Sequence, residues 1–330
     1  MLVLGLGCCG FGLLLTAWAR EYIIAGGRVF LDSRCLIVKK LILLAACLIA
    51  GCFFASSAKA MVEPLISVLR DDIRFSESVL PYDGGLLISN YGSDKMRPRS
   101  DEFSGYILFR KDGVNKKIVG GLHKPTGLAV KDNFLFVCDV SVLKVFNLQN
   151  LNSPPKIINF PPDDEILNDL VCDGDKLYIS VTNSGRIYSL DVSDSENIEK
   201  IAPNLWLEIV GANGLAIAAG EMFIATIPPD FQSVSPDNVV YRVQDLKNPL
   251  PEKFFDVPGL YDGVTLSDDL KTLFISDWLT ASVTAIDLNS KKTRVIYQEN
   301  GIGPADIAFS NGTLFIPELV GSRIISIRLN

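Results

Sequence analysis

Six polar residues recur along the chain at intervals of 49, 42, 45, 49 and 44: Glu77, Thr126, Asn168, Asn213, Asp262 and Asp306. Each opens an apolar stretch, and all six side chains can present oxygen to a cation. If the repeats close into a ring, equivalent positions converge on its axis. Three carboxylates, two amides and one hydroxyl would then meet at one channel mouth. Converging carboxylates raise one another's pKa and repel unless positive charge lies between them, and no Lys or Arg holds an equivalent position. A divalent cation is the simplest remedy. All-oxygen ligation suits Ca²⁺, with Mg²⁺ and Mn²⁺ as alternatives, and Zn²⁺ also accepts carboxylate oxygen. The competing reading is local, because Asn213-Gly214 and Asp262-Gly263 are turn-forming pairs that can shape the start of a strand. Six positions in register favour the site.

The elements that must position these residues are equally regular. After each comes a tight turn and a second strand of the form Leu-aromatic-Ile: Leu86-Leu87-Ile88, Leu135-Phe136-Val137, Leu177-Tyr178-Ile179, Met222-Phe223-Ile224, Leu273-Phe274-Ile275 and Leu314-Phe315-Ile316. The turns (Asp83-Gly84, Asp132-Asn133, Asp173-Gly174, Ala219-Gly220, Asp268-Asp269, Asn311-Gly312) are rich in residues that tolerate positive φ. A multi-strand repeat of this period predicts an all-β, six-bladed β-propeller spanning 61–330. Third strands are expected at Tyr106–Phe109, Lys144–Leu148, Arg186–Leu190, Val239–Val243, Val283–Leu288 and Arg323–Leu329. Outer strands are expected at Lys116–Val119, Lys156–Phe160, Ile198–Ile201, Lys253–Val257 and Thr293–Tyr297. The sixth blade lacks an outer strand of its own. Pro64–Leu69 is the natural donor, and its pairing would close the ring. Two long loops, Tyr91–Gly105 (with Lys95, Arg97, Arg99 and Asp101) and Pro228–Asn238, should overhang the oxygen cluster as lids or specificity walls, or simply be solvated loops. Asn90, Asp139, Thr226, Asp277 and Glu318 form a second ring at that rim, and Trp278 beside it either offers a substrate wall or fills space between blades.

The segments Phe75-Ser76-Glu77-Ser78, Leu167-Asn168-Asp169, Ala212-Asn213-Gly214-Leu215 and Tyr261-Asp262-Gly263-Val264 resemble the metal-site motifs of the gluconolactonase, senescence marker protein and luciferin-regenerating enzyme family. The resemblance implies a divalent ion held by Glu77, Asn213 and Asp262. It further implies Asp262 as general base, and Asn168 contacting substrate or metal-bound water with Asp169 beside it; Thr126 and Asp306 of the recurring set are expected to touch substrate as well. Sugar-lactone members carry an Arg two residues before the third-blade Asn; this chain has Ile166. Related paraoxonases carry a catalytic His in a Pro-His-Gly segment, where this chain reads Pro125-Thr126-Gly127 and its only His, His123, lies three residues earlier.

Composition narrows the partners. Formal net charge is −7, and residues 1–60 hold six basic and two acidic residues, leaving 25 basic against 36 acidic from Met61 onward. Such an acidic body is not a nucleic-acid binder; the expected partner is a small-molecule substrate. Lys39-Lys40, the apolar run Leu41–Phe54 and Ala58-Lys59-Ala60 have the three parts of a secretory signal peptide over 38–60, with cleavage after Ala60. Ile49-Ala50-Gly51-Cys52 also resembles a lipobox, whose alternative is a lipoprotein anchored at Cys52. Either route exports the body to the periplasm or beyond. The apolar stretch Leu2–Ala19 is either a transmembrane helix, for which its length suffices, or redundant beside a complete signal, as it would be if translation began near Val38. Five of seven Cys lie in this leader, and Cys138 and Cys172 alone fall in the repeats, where one disulfide is allowed. No phosphate loop or Ser nucleophile elbow supports a rival chemistry. The sequence therefore points to a metal-dependent hydrolase of a lactone or related cyclic ester. The alternatives are a non-catalytic propeller whose structural metal supports ligand or envelope-protein binding, and a strictosidine-synthase-like or lyase propeller.

Overall fold

The computed structural model describes residues 65–94, 103–301 and 303–329. The leader, with its expected signal peptide and Cys52 anchor, and loop residues Lys95, Arg97, Arg99 and Asp101 lie outside the described residues. Six four-stranded antiparallel sheets form a six-bladed β-propeller. Strand β1 (Leu65–Leu69) precedes blade 1, which comprises β2 (Ser76–Tyr82), β3 (Gly85–Asn90), β4 (Gly105–Lys111) and β5 (Val114–Leu122). Blade 2 is β6 (Pro125–Lys131), β7 (Phe134–Asp139), β8 (Val142–Asn147) and β9 (Lys156–Asn159). Blade 3 is β10 (Leu167–Asp173), β11 (Lys176–Val181), β12 (Arg186–Asp191) and β13 (Asn204–Glu208). Blade 4 is β14 (Ala212–Ala218), β15 (Glu221–Thr226), β16 (Val240–Val243) and β17 (Pro251–Phe255). Blade 5 is β18 (Tyr261–Leu266), β19 (Thr272–Asp277), β20 (Ser282–Asp287) and β21 (Thr293–Gln298). Blade 6 is β22 (Ala308–Ser310), β23 (Thr313–Glu318) and β24 (Arg323–Arg328), completed by β1, which pairs with β24 from Leu65↔Arg328 to Leu69↔Ile324.

One outer strand differs from expectation. Ile198–Ile201, read as the edge of blade 3, instead falls at a 3₁₀ turn, Ser195–Lys200, and the edge strand is β13. The two isoleucines stand three residues apart, a helical spacing, and Ile198 is buried in the core between blades 2 and 3.

The Leu-aromatic-Ile strands explain how the blades adhere. Alternate residues of a strand face opposite sides. Phe136 therefore packs toward blade 3 while Leu135 and Val137 pack toward blade 1. Tyr178 faces blade 4 with Leu177 and Ile179 facing blade 2, and Phe223 faces blade 5 with Met222 and Ile224 facing blade 3. The buried apolar residues fall into six clusters, one at each blade-to-blade junction, the last joining Ile73, Val79 and Ile88 to Ala308 and Ile324. The turns behave as their residues require: Asp83 and Gly84 have φ of 46° and 71°, and Asn311 and Gly312 have 50° and 73°. Cys138 and Cys172 are both free thiols.

Candidate metal centre

The innermost strands are not regular where they carry the recurring polar residues. In blades 1 to 5 the ladder slips by one residue, between Ser76 and Val79, Pro125 and Leu128, Leu167 and Leu170, Ala212 and Leu215, and Tyr261 and Val264. Each bulge contains the candidate residue and its successor, two residues facing one on the second strand. That single residue is Ser89, Cys138, Ser180, Ala225 or Ser276, the one that follows each Leu-aromatic-Ile triplet. The serines occupy the gap. Ser89, Ser180 and Ser276 Oγ accept from the N–H of Ser78, Asp169 and Gly263 at 2.9, 3.0 and 2.7 Å. Ser180 and Ser276 also donate across the blade boundary to the carbonyls of Asn213 and Ala305, at 2.6 and 2.8 Å. These three serines were missed from sequence, although their signal, a Ser, Cys or Ala after each of the first five triplets, was legible.

Gly127, Gly214 and Gly263 lie within these strands, and none has positive φ, so Asn213-Gly214 and Asp262-Gly263 are not turn formers. A Cβ at Gly214 would lie 2.3 Å from the carbonyl oxygen of Asp262, and one at Gly263 2.5 Å from the backbone N of Ile307. Glycine is required because neighbouring innermost strands touch through their backbones around the channel.

The six recurring residues are all buried, but they divide chemically. Thr126 donates to the carbonyl of Leu167 at 3.0 Å, and Asp306 Oδ2 accepts from Ser78 Oγ at 2.6 Å. The other four each leave an oxygen without a partner: Glu77 Oε2, Asn168 Oδ1, Asn213 Oδ1 and Asp262 Oδ1. Buried polar atoms are rarely left so, and each costs about 1–3 kcal/mol of lost solvation. Two carboxylates and two amides thus offer four hard oxygens and a charge of −2, a donor set that fits a divalent cation of the Ca²⁺ kind. Among the described residues no three His, Cys, Asp or Glu side chains group as a metal cage would, so the amide oxygens are essential to the set.

Electrostatics points the same way. Burial, then Asp262, Asp306 and Asp169, push the Glu77 carboxyl well above the usual range. Burial and then Asp306 push Asp262 up to about 7, against a hydrogen bond from Trp278 that lowers it. Burial pushes Asp306 to about 7 as well, opposed by Ser78. Asp169 is also raised, chiefly by burial. Its oxygens accept from the N–H groups of Leu170 and Leu215, both at 2.7 Å, so it fastens blade 3 to blade 4. Neither Asp169 nor Asp306 lines the cavity described next.

A cavity of about 570 Å³ opens over the four unpartnered oxygens. Glu77, Thr126, Asn168, Asn213 and Asp262 line it together with Tyr91 and Asp94 from one long loop and Asp230, Phe231 and Gln232 from the other. Both loops thus contribute to its wall. Trp278 Nε1 donates to Asp262 Oδ2 at 2.7 Å, and the indole also lines the cavity, a role the sequence left open between wall and packing. Lys124, which sequence reasoning passed over, is buried on the same wall, with Nζ 2.9 Å from Ser93 Oγ and 5.1 Å above the Tyr91 ring. The second rim ring is structural. Asn90, Asp139 and Asp277 accept from the backbone N–H groups of Arg74, His123 with Lys124, and Leu260, pinning the segments before β2, β6 and β18. Glu318 binds Tyr297 and Arg323, and Thr226 donates to the Val239 carbonyl. The His123 ring packs on Phe103 at 4.3 Å and does not line the cavity.

No protein-family model and no curated protein sequence matches the chain. Solved structures do. A gluconolactonase of Xanthomonas campestris is similar with a TM-score of 0.62 at 16% identity, over 81% of this chain and 90% of that one. A carbohydrate-active enzyme of family AA12 from Trichoderma reesei gives 0.60 at 11%, over 81% and 98%. A virginiamycin B lyase of Staphylococcus aureus gives 0.54 at 12%, over 81% and 100%. At these identities the likeness shows the propeller fold, which those proteins use for different chemistries.

Proposed function

We propose that this propeller is an exported, divalent-metal-dependent hydrolase of a lactone or related cyclic ester. The observation that carries the reading is the set of four buried, unpartnered oxygens at equivalent positions of blades 1, 3, 4 and 5, at the base of the cavity. Glu77, Asn213 and Asp262 would hold the ion, with Asn168 beside them. A bound divalent cation supplies Lewis-acid polarisation of an ester carbonyl and offsets the two carboxylate charges.

The chain's own residues do the rest. Trp278 fixes the Asp262 carboxylate through Oδ2 and leaves Oδ1 without a protein partner, so the carboxylate that would hold the ion and take the proton of an attacking water is kept in one orientation. Asn168 presents its amide where the substrate's ester group meets the oxygen cluster, and orients it. Thr126, bonded to the Leu167 carbonyl, holds the strand that carries Asn168 in place. The resemblance of the four segments around these residues to lactonohydrolase motifs supports the reaction class, and the 38–60 leader supports export.

The test is metal content and lactone hydrolysis measured together on the full chain and on Asp262→Ala. One divalent ion per chain, with hydrolysis abolished in the variant, is the expected result. Tight metal binding without turnover of any lactone would replace the hydrolase with a ligand-binding propeller, and no metal at millimolar concentrations would remove the site itself.

A further inference from the structure

Above the oxygen cluster the cavity wall changes character. The first residue beyond β7, β15, β19 and β23 is Val140, Ile227, Trp278 and Leu319, and the residues two before Asn168 and Asp262 are Ile166 and Leu260. All six line the cavity. They form an apolar collar between the polar floor and the exposed rim residues Asp230 and Gln232, interrupted where Tyr91, the first residue beyond β3, and Lys124, two before Thr126, line the same cavity.

The collar is built deliberately into the backbone. Val140 has φ of 62°, a conformation that β-branched side chains rarely adopt, and its carbonyl accepts the Leu167 N–H at 2.8 Å. The turn is thereby held against blade 3 with an isopropyl group in the wall. At blade 4 Gly211, with φ of 73°, leaves no room for a side chain: a Cβ there would collide with the carbonyl of Ile227, so Ile227 forms the wall alone. The Trp278 ring rests on Gly303, where an added Cβ would come within 2.5 Å of the indole. Its one donor is already directed to Asp262.

We infer that the cavity takes a cyclic ester with an alkyl or aryl substituent, seated in the collar formed by Val140, Ile166, Ile227, Leu260, Trp278 and Leu319, and discriminates against polyhydroxylated lactones. This specificity rests on the lactone-hydrolase reading. Along the six collar side chains a polyol ring would bury hydroxyls against groups that offer no partner, whereas each methylene of an alkyl arm gains by leaving water.

The test uses the full chain with excess Ca²⁺ and two probe series. Hydrolysis of δ-lactones with 6-alkyl arms lengthened from methyl to pentyl is compared with that of glucono-δ-lactone. Non-hydrolysable δ-lactams with the same arms are titrated by calorimetry. Affinity and kcat/KM should rise about three- to fourfold per methylene, the ~0.8 kcal/mol expected for a buried CH₂. Ile166→Gln and Leu260→Gln, both at half-buried positions, should flatten that slope while leaving Ca²⁺ affinity unchanged. Lactam affinity that climbs with the arm, without hydrolysis of any lactone, would keep the collar and remove the hydrolase. Lactam affinity that is flat, absent or unaffected by both variants, or preferential turnover of glucono-δ-lactone, would overturn the inference.

Discussion

Trp278 Nε1 lies 2.7 Å from Asp262 Oδ2, so the indole holds one carboxylate oxygen and leaves the other without a partner. Outer partners of this kind commonly contribute 10- to 100-fold to metal affinity or activity. Trp278→Phe keeps an aromatic side chain, though a smaller one, and deletes the donor. It should lower Ca²⁺ affinity or turnover by about 10- to 100-fold, with the unfolding midpoint little changed, as read by calorimetry and urea titration. Gly303→Ala should reproduce the defect from a distance, because its methyl would occupy the space of the indole.

Neighbouring residues on β10 should separate cleanly. Asn168 leaves Oδ1 unpartnered over the cavity, whereas Asp169 joins the N–H groups of Leu170 and Leu215. Asn168→Ala should abolish lactone turnover with a stability change under about 1 kcal/mol. Asp169→Ala strands two buried amides and should cost about 2–4 kcal/mol in urea unfolding, with Ca²⁺ affinity retained in the folded fraction.

Removing a ligand should stabilise the metal-free protein. Burial and its acidic neighbours hold the Glu77 carboxyl well above its usual range, which marks the ionised form as unfavourable there. Glu77→Gln keeps the shape and removes the charge. In chelator its midpoint should rise by the equivalent of about 1 kcal/mol, while Ca²⁺ binding weakens at least tenfold. A variant less stable than the parent in chelator would contradict this account of the cluster.

The metal-free protein should lose stability as pH rises. Asp262 and Asp306 are held up to about 7, so between about pH 4 and 7 the folded chain retains protons that the unfolded chain has released. Unfolding releases protons in that window, and stability is greatest below it and falls through it. A cation binds the ionised oxygens, so stabilisation by Ca²⁺ should grow over the same interval, reaching about 2.7 kcal/mol when Ca²⁺ is 100 times its Kd. Urea midpoints at pH 5, 6, 7 and 8, with and without chelator, measure both slopes.

Much of this molecule is written at the level of the repeat. The spacing of Glu77 to Asp306 and the Leu-aromatic-Ile triplets give six blades, and the shortage of a strand in the last blade gives the pairing of β1 with β24. What the sequence could not separate was the fate of each ring member. Thr126 and Asp306 look like ligands, but the Leu167 carbonyl and the Ser78 hydroxyl satisfy them, and those partners come from the next blade. Trp278 was ambiguous because its partner lies sixteen residues back, on the adjoining strand of the same blade. Ile198 misled because an isolated apolar pair fits a short strand and a helical turn alike.

The seam between β1 and β24 joins segments that stand near opposite limits of the described chain. No emerging fragment short of β24 can shut the ring, so every earlier intermediate carries an open edge with unpaired amides. The four unpartnered oxygens are carried by blades 1, 3, 4 and 5, so their mutual geometry depends on the blades having packed into the circle. Assembly should therefore be late and all-or-none. A polypeptide that cannot tighten until its far end is free is one that can be threaded through a narrow pore before it sets.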